Sequence, residues 1–190
     1  LAVAVAAVAQ SFTSGEFKFT VTKAPSGNVR GEVTITGASD PSTISMNLQI
    51  QPYTIYNGSY YNITAIAKDA FMNNTRLVTV RLPYGVKFIG SFAFQNCTKL
   101  TTISVPSSVE SFGERAFSGC TALKNYYSAQ YNQSKVTYGA YVFPNNSGMK
   151  AYFPNITIVT DPRLSMFTIE NSVEAYDMYM VDGTVSVVDV

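Results

Sequence analysis

Phe71, Phe94 and Phe117 stand 23 residues apart, each behind an alanine (Ala70, Ala93, Ala116), and the apolar positions around them recur in step. IAKDAFMNNTRLVTVRLPYGV is followed without insertion by IGSFAFQNCTKLTTISVPSSV and then by FGERAFSGCTALKNYY. Many columns fix the register together. Ile66, Ile89 and Phe112 open the units, Leu77, Leu100 and Leu123 follow the phenylalanines, Val80, Ile103 and Tyr126 come next, and Leu82-Pro83 matches Val105-Pro106. A unit this short cannot bury its own apolar face, so equivalent units must stack and bury one another. The chain is therefore a repeat array whose core runs along an axis.

Within a unit, Leu100-x-x-Ile103-x-Val105 reads as a strand in which Ile103 and Val105 share the inward face. Pro106 ends it where a backbone donor is no longer needed, as Pro83 does one coil earlier. Val109 to Phe112 reads as a second short extended segment. Gly90 and Gly113 occupy equivalent places before the Ala-Phe pair, where a bend with positive φ is expected.

A period of 20 to 29 residues with Leu-x-x-Leu-x-Leu character is the signature of a leucine-rich-repeat solenoid. The pattern AF-x-x-C-T-x-L-x-x-I-x-V-P-x-S-V-x-S over residues 89–123 resembles the BspA-like class of bacterial and protist leucine-rich repeats. The preceding TISMNLQIQPYTIYNGSYYNITAIAKDAF is similar to the lead-in these proteins carry, in which an extended stretch and an Asn-Gly turn precede the first Ala-Phe unit. The resemblance implies a secreted or surface-exposed protein that adheres to, or binds, host or neighbouring-cell components. The expected fold is mostly β, in the α/β repeat class: a short solenoid of about three to four coils, with an N-terminal β-hairpin cap and a C-terminal β-rich tail.

Five segments follow. Residues 1–9, almost purely Ala, Val and Leu and ending in Ala7-Val8-Ala9, read as the back of a signal peptide, with a buried first strand as the alternative. Residues 10–59 form an N-terminal β cap and lead-in. There EFKFTVT and EVTIT alternate polar and apolar around Pro25-Ser26-Gly27-Asn28, as a hairpin with one wet face does. Residues 60–128 are the repeats. Residues 129–160 form a degenerate closing coil, in which VFPNNSGMKAYFP recovers the pattern only after an insertion of about three residues. Residues 161–190 form an acidic β-rich tail with Asp182-Gly183 as a turn.

Charged residues are only 13% of the chain and the net charge is +1, so solubility rests on neutral polar groups. The balance is uneven: residues 60–150 hold nine Lys or Arg against three acids, whereas 161–190 hold one Arg against six acids. A basic face could serve an acidic partner, but no cluster of the nucleic-acid-binding kind is present, and docking of the tail or plain solubility explains the charges as well.

Cys97 and Cys120 lie one repeat apart and would be neighbours in stacked coils. A bridge is one reading; two packed free thiols is the other and the favoured one, since Asn74 takes the same place in the earlier unit. Sequons at Asn57, Asn62, Asn73, Asn96, Asn132, Asn145 and Asn155 matter only in a eukaryotic secretory pathway.

Catalysis finds little support. With no His, the Cys-His, Ser-His-Asp and His-metal arrangements are unavailable to the chemistry. Ser147 and Lys150 have serine-lysine spacing without companion motifs. Glu110, Glu114 and Asp69 are the only acids of the array, and they show neither a calcium loop nor a phosphate loop beside them. No cofactor is expected.

What remains is a surface. On the strand of each coil the outward residues are Val78, Thr79 and Arg81, then Thr101, Thr102 and Ser104, then Lys124, Asn125 and Tyr127. They would form a rigid grid, of which Thr79, Arg81, Thr102, Ser104, Lys124, Asn125 and Tyr127 are the candidate partner-binding residues. A second face carries Lys87, Phe88, Glu110 and Ser111. The expected partner is a protein or glycan on another cell, a host matrix or an envelope, with no nucleic acid and no membrane span in the mature chain. A carbohydrate-binding module that uses its 13 tyrosines as platforms, or a spacer from a larger surface protein, are the alternatives; the absence of Trp weakens the first.

Overall fold

A computed structural model describes residues 10–129, 136–144 and 149–153, together with the backbone of three strands at 168–171, 177–181 and 184–188. The leader-like residues 1–9, the Ser147 of the serine-lysine pair, and the sequons at Asn132, Asn145 and Asn155 lie outside the described residues.

Over residues 47–138 each coil contributes one strand to each of two sheets. The first sheet takes β4 (Asn47–Gln49), β7 (Thr79–Arg81), β9 (Thr102–Val105), β11 (Asn125–Ser128), β13 (Lys150–Phe153) and β14 (Thr168–Asn171), all parallel and in chain order. The second takes β6 (Ser59–Ile66), β8 (Phe88–Ile89), β10 (Ser111–Phe112) and β12 (Thr137–Tyr138), again parallel. No described residue is helical, so the chain is a mostly-β leucine-rich-repeat solenoid.

The core is the stack of equivalent side chains between the sheets. Phe71, Phe94 and Phe117 are buried with rings face to face, at centroid separations of 5.1 and 5.3 Å and interplanar angles of 13° and 8°. Phe143 continues this spine at 5.8 Å, and Phe17 closes it edge-on against Phe71 at 6.3 Å. Leu77, Leu100 and Leu123, like Val80, Ile103 and Tyr126, are buried in parallel columns. The late arrival of the closing coil is visible in the second sheet, where Phe112 pairs with Tyr138, three residues beyond the regular period. The first sheet is longer than the perfect period marks, because β13 and β14 keep register with β11 after the sequence pattern has faded.

The turn carrying the Ala-Phe pair is itself a ladder. The amides of Asp69, Phe71 and Asn73 donate to the carbonyls of Ser91, Ala93 and Gln95 on the next coil, while the amides between them bond within their own coil. This alternation puts Asp69, Phe92, Arg115 and Tyr141 at φ of 53 to 60°. Aspartate tolerates left-handed backbone, but Phe92, Arg115 and Tyr141 do not favour it, so at those three the stacking imposes it. Asn73, Asn96 and Gly119 hold a second left-handed column, with residue types that tolerate it.

Gly90 and Gly113 are not left-handed, contrary to the expectation from their place before the bend. They are glycine because the coils touch there. A Cβ on Gly90 would lie 2.4 Å from the Lys68 nitrogen, and one on Gly113 would lie 2.2 Å from the Ser91 nitrogen, both of them backbone atoms that cannot move aside.

At the N-terminus, β1 (Ser11–Ser14), β2 (Phe17–Lys23) and β3 (Gly31–Ala38) form an antiparallel meander, and β3 then pairs parallel with β6. The hairpin read from the alternation is β2–β3, and it extends the second sheet. β5 (Tyr53–Tyr56) folds back on β6 through Asn57-Gly58, both left-handed, as a two-residue hairpin turn requires. In the tail, β15 (Asp177–Val181) and β16 (Thr184–Val188) pair antiparallel, and the Asp182-Gly183 turn lies outside the described residues.

Candidate functional site

Because inward and outward residues alternate along a strand, burying Val80, Ile103 and Tyr126 turns their neighbours outward. The parallel register then aligns those neighbours across coils. Asn47, Thr79, Thr102 and Asn125 form one column, and Gln49, Arg81, Ser104 and Tyr127 the next. Six of the seven residues anticipated as partner-binding therefore share one sheet face, Lys124 immediately precedes β11, and each of the seven is exposed or half-buried. Val78, Thr101 and Lys124 form a third column, tied by Thr101 N–H to Val78 O and by Lys124 N–H to Thr101 O.

The grid is bonded along the axis as well as beneath. Thr79 Oγ1 donates to Asn47 Oδ1 at 3.0 Å, Asn125 Nδ2 donates to Thr102 Oγ1 at 3.3 Å, and Thr101 Oγ1 donates to the Val78 carbonyl at 3.0 Å. These bonds hold side chains that would otherwise rotate freely, which lowers the entropy lost when a partner binds. Arg81 and Lys124 make no ion pair among the described residues.

Asn47 and Gln49 belong to this face, although the sequence reading placed them in the lead-in. The signal was present: Leu48 and Ile50 repeat the spacing of Val80 and Leu82. The offset, 32 residues from Asn47 to Thr79 instead of 23, hid it. The β5–β6 hairpin accounts for the excess.

The second sheet presents Phe88, 48% exposed, beside Ala65 and Ser111. Lys87 Nζ lies 3.4 Å from Glu110 Oε1 above it. Farther along, Arg30 sits over the rings of Tyr53 and Tyr60, with its Cζ 5.2 and 5.4 Å from their centroids.

Cys97 and Cys120 are free and fully buried. Their thiols donate to the carbonyls of Phe71 and Phe94 at 3.1 and 3.0 Å, one coil back in each case. Hydrogen bonding to Cys97 and burial push the Cys120 thiol far above its ordinary range, so it is no nucleophile at neutral pH. Asn74, in the equivalent place, caps the amides of Arg76 and Leu77 instead. The acids considered for glycoside chemistry are paired with cations: Glu110 with Lys87, and Glu114 with Arg115 at 3.2 Å. Of the described sequons, Asn57 stands in the hairpin turn, Asn62 on β6, and Asn73 and Asn96 are bonded to each other at 3.0 Å.

The described residues contain no helix long and apolar enough to cross a membrane. The structure is similar to a leucine-rich repeat protein of Bacteroides capillosus, at 22% identity and a TM-score of 0.61, covering 76% of this chain and 99% of that one. It is also similar to a leucine-rich repeat protein of Bacteroides ovatus, at 27% identity and a TM-score of 0.58, covering 75% of this chain but 37% of that one. A leucine-rich cell surface protein of Faecalibacterium prausnitzii matches at 20% identity and a TM-score of 0.54, over 85% of this chain and 43% of that one. The chain thus spans one of these proteins end to end and less than half of the other two. No curated protein matches it. Six copies of the BspA-type leucine-rich repeat region cover residues 47–164, a span that holds β4, β7, β9, β11 and β13 of the first sheet, and the chain belongs to that family.

Proposed function

We propose that this protein is a non-catalytic, exported interaction scaffold that binds a protein partner through the outward face of β4, β7, β9 and β11. The observation that carries this reading is the alignment of Thr79, Arg81, Thr102, Ser104, Lys124, Asn125 and Tyr127 into columns over a continuous hydrogen-bonded ladder. Such a face is rigid before a partner arrives, and an Arg and a Tyr among adaptable hydroxyls and amides is the mixture that protein contacts favour. The proposal of export is supported by the surface exposure that membership of the family implies. A leucine-rich protein similar in fold is described as a cell surface protein, which agrees with that placement.

The test is affinity capture from cell-surface and matrix extracts with wild type and Arg81→Ala/Tyr127→Ala as parallel baits. Proteins retained by the wild type and lost from the variant, at an almost unchanged Tm, support the reading. Identical recovery would remove the function from this face, and a large fall in Tm would assign these side chains to packing.

A further inference from the structure

Resting on that reading, we infer that the protein partner of the first sheet is acidic where it meets the coils. The charges of the repeats are sorted by side. Asp69, Glu110 and Glu114, the acids of the described repeat residues, each lie beside a cation: Lys68 at 3.9 Å, Lys87 at 3.4 Å and Arg115 at 3.2 Å. All six of these residues stand on the Ala-Phe turn or at the β8–β10 side, which is therefore close to neutral. The cations left over are on the other side. Arg81 ends β7, Lys124 immediately precedes β11, and Lys99 stands just before β9, and none of the three makes an ion pair among the described residues. Arg76, on the approach to β7, donates Nε to the Ile44 carbonyl and has Asp40 nearby, so it adds less.

Coils are spaced by about 4.8 Å, so these charges fall within about 10 Å of one another along the axis. With a screening length of about 8 Å at physiological salt, Lys99 and Lys124 at one end of the strands reinforce each other, and Arg81 at the other end acts as a separate positive point. The result attracts negative charge and speeds encounter with an acidic surface.

The arrangement favours a folded acidic protein over a linear polyanion. A polyanion carries closely spaced charges and is met by a cluster or a run of cations. Here the cations stand apart at the margins, with Arg81 at one end of the strands and Lys99 and Lys124 at the other. Between them lie Thr102, Ser104, Asn125 and Tyr127, without a charge. Charge at the rim around a tyrosine and neutral hydrogen-bonding groups is the plan of a protein interface.

The experiment selects a displayed library of random short peptides on the immobilised full chain, with soluble heparin as a second probe. Expected are peptides rich in Asp and Glu that bind Arg81→Glu/Lys124→Glu about tenfold more weakly, bind Lys87→Ala within about twofold, and weaken steeply as salt rises. A neutral or apolar consensus that still fails on the double variant would refute the acidic partner while leaving the docking face in place. Peptides that bind wild type and double variant alike would overturn both. Tight heparin binding without recovery of acidic peptides would replace the protein by an anionic glycan. If the charge reversal lowers the Tm, Arg81→Ala/Lys124→Ala supplies the same comparison.

Discussion

The two sheets share one core and differ in nearly everything outside it. The first ends at β4, a strand of three residues, and shows water a face of hydroxyls and amides, with Arg81 and Lys124 making no ion pair among the described residues. The second is extended by β3, β2 and β1, pairs Lys87 with Glu110 among its repeat strands, and exposes Phe88. Inside, the coils are interchangeable, because a ring or a methyl in the spine meets the same neighbour one coil on. Outside, nothing demands equivalence, so the two faces are free to differ, and that freedom is where recognition can reside.

The comparison breaks most severely if the shared core is cut. Phe94, fully buried between Phe71 and Phe117, touches what both sheets depend on, so Phe94→Ala should cost about 3–5 kcal/mol. Denaturant unfolding should show both halves of the array lost in one transition; separate transitions would mean that the sheets fold independently. Gly113→Ala tests the contact between coils on the second-sheet side alone. With the new Cβ facing the Ser91 backbone nitrogen, it should cost about 3 kcal/mol, whereas the same change at the exposed turn residue Gly15, where space is open, is limited to the strain of its left-handed backbone, about 1 kcal/mol. Equal losses would show that conformation, not contact, dictates glycine at both.

A smaller effect separates core from surface by pH. Burial, and the neighbouring Tyr138, hold the Tyr126 hydroxyl well above its ordinary range. Its contribution is fully present below the unfolded value near 10 and declines as pH rises through the higher folded value, since ionisation then favours the unfolded chain. Alkaline unfolding should therefore set in earlier for the wild type than for Tyr126→Phe, measured relative to each protein's stability at neutral pH. The smallest effect is on the first face itself. Thr79→Val deletes one exposed bond to Asn47 and should change stability by about 0.5 kcal/mol or less, while loosening the column that the partner meets.

The spine, the buried columns and the outward grid were legible because each rests on period and alternation, which a sequence displays directly. Three features were not. Gly90 and Gly113 looked like turn glycines, but their cause is a backbone one coil away, which no local pattern records. β4 was hidden because the β5–β6 hairpin interrupts the count between Leu48 and Val80. β13 and β14 continue the first sheet where residue identity has drifted, since a parallel ladder is held by backbone groups that every residue carries.

The sequence by itself determined that 23-residue coils stack and which side chains fill them, because burial in a repeat depends only on apolar residues returning in phase. Only the tertiary structure decided which coils touch backbone to backbone, which residues take left-handed turns, and which cations of the described repeat residues stand beside an acid. Those depend on contacts between residues a full coil or more apart, and on the order in which acids and bases meet across coils. The chain lists these groups without revealing who stands beside whom.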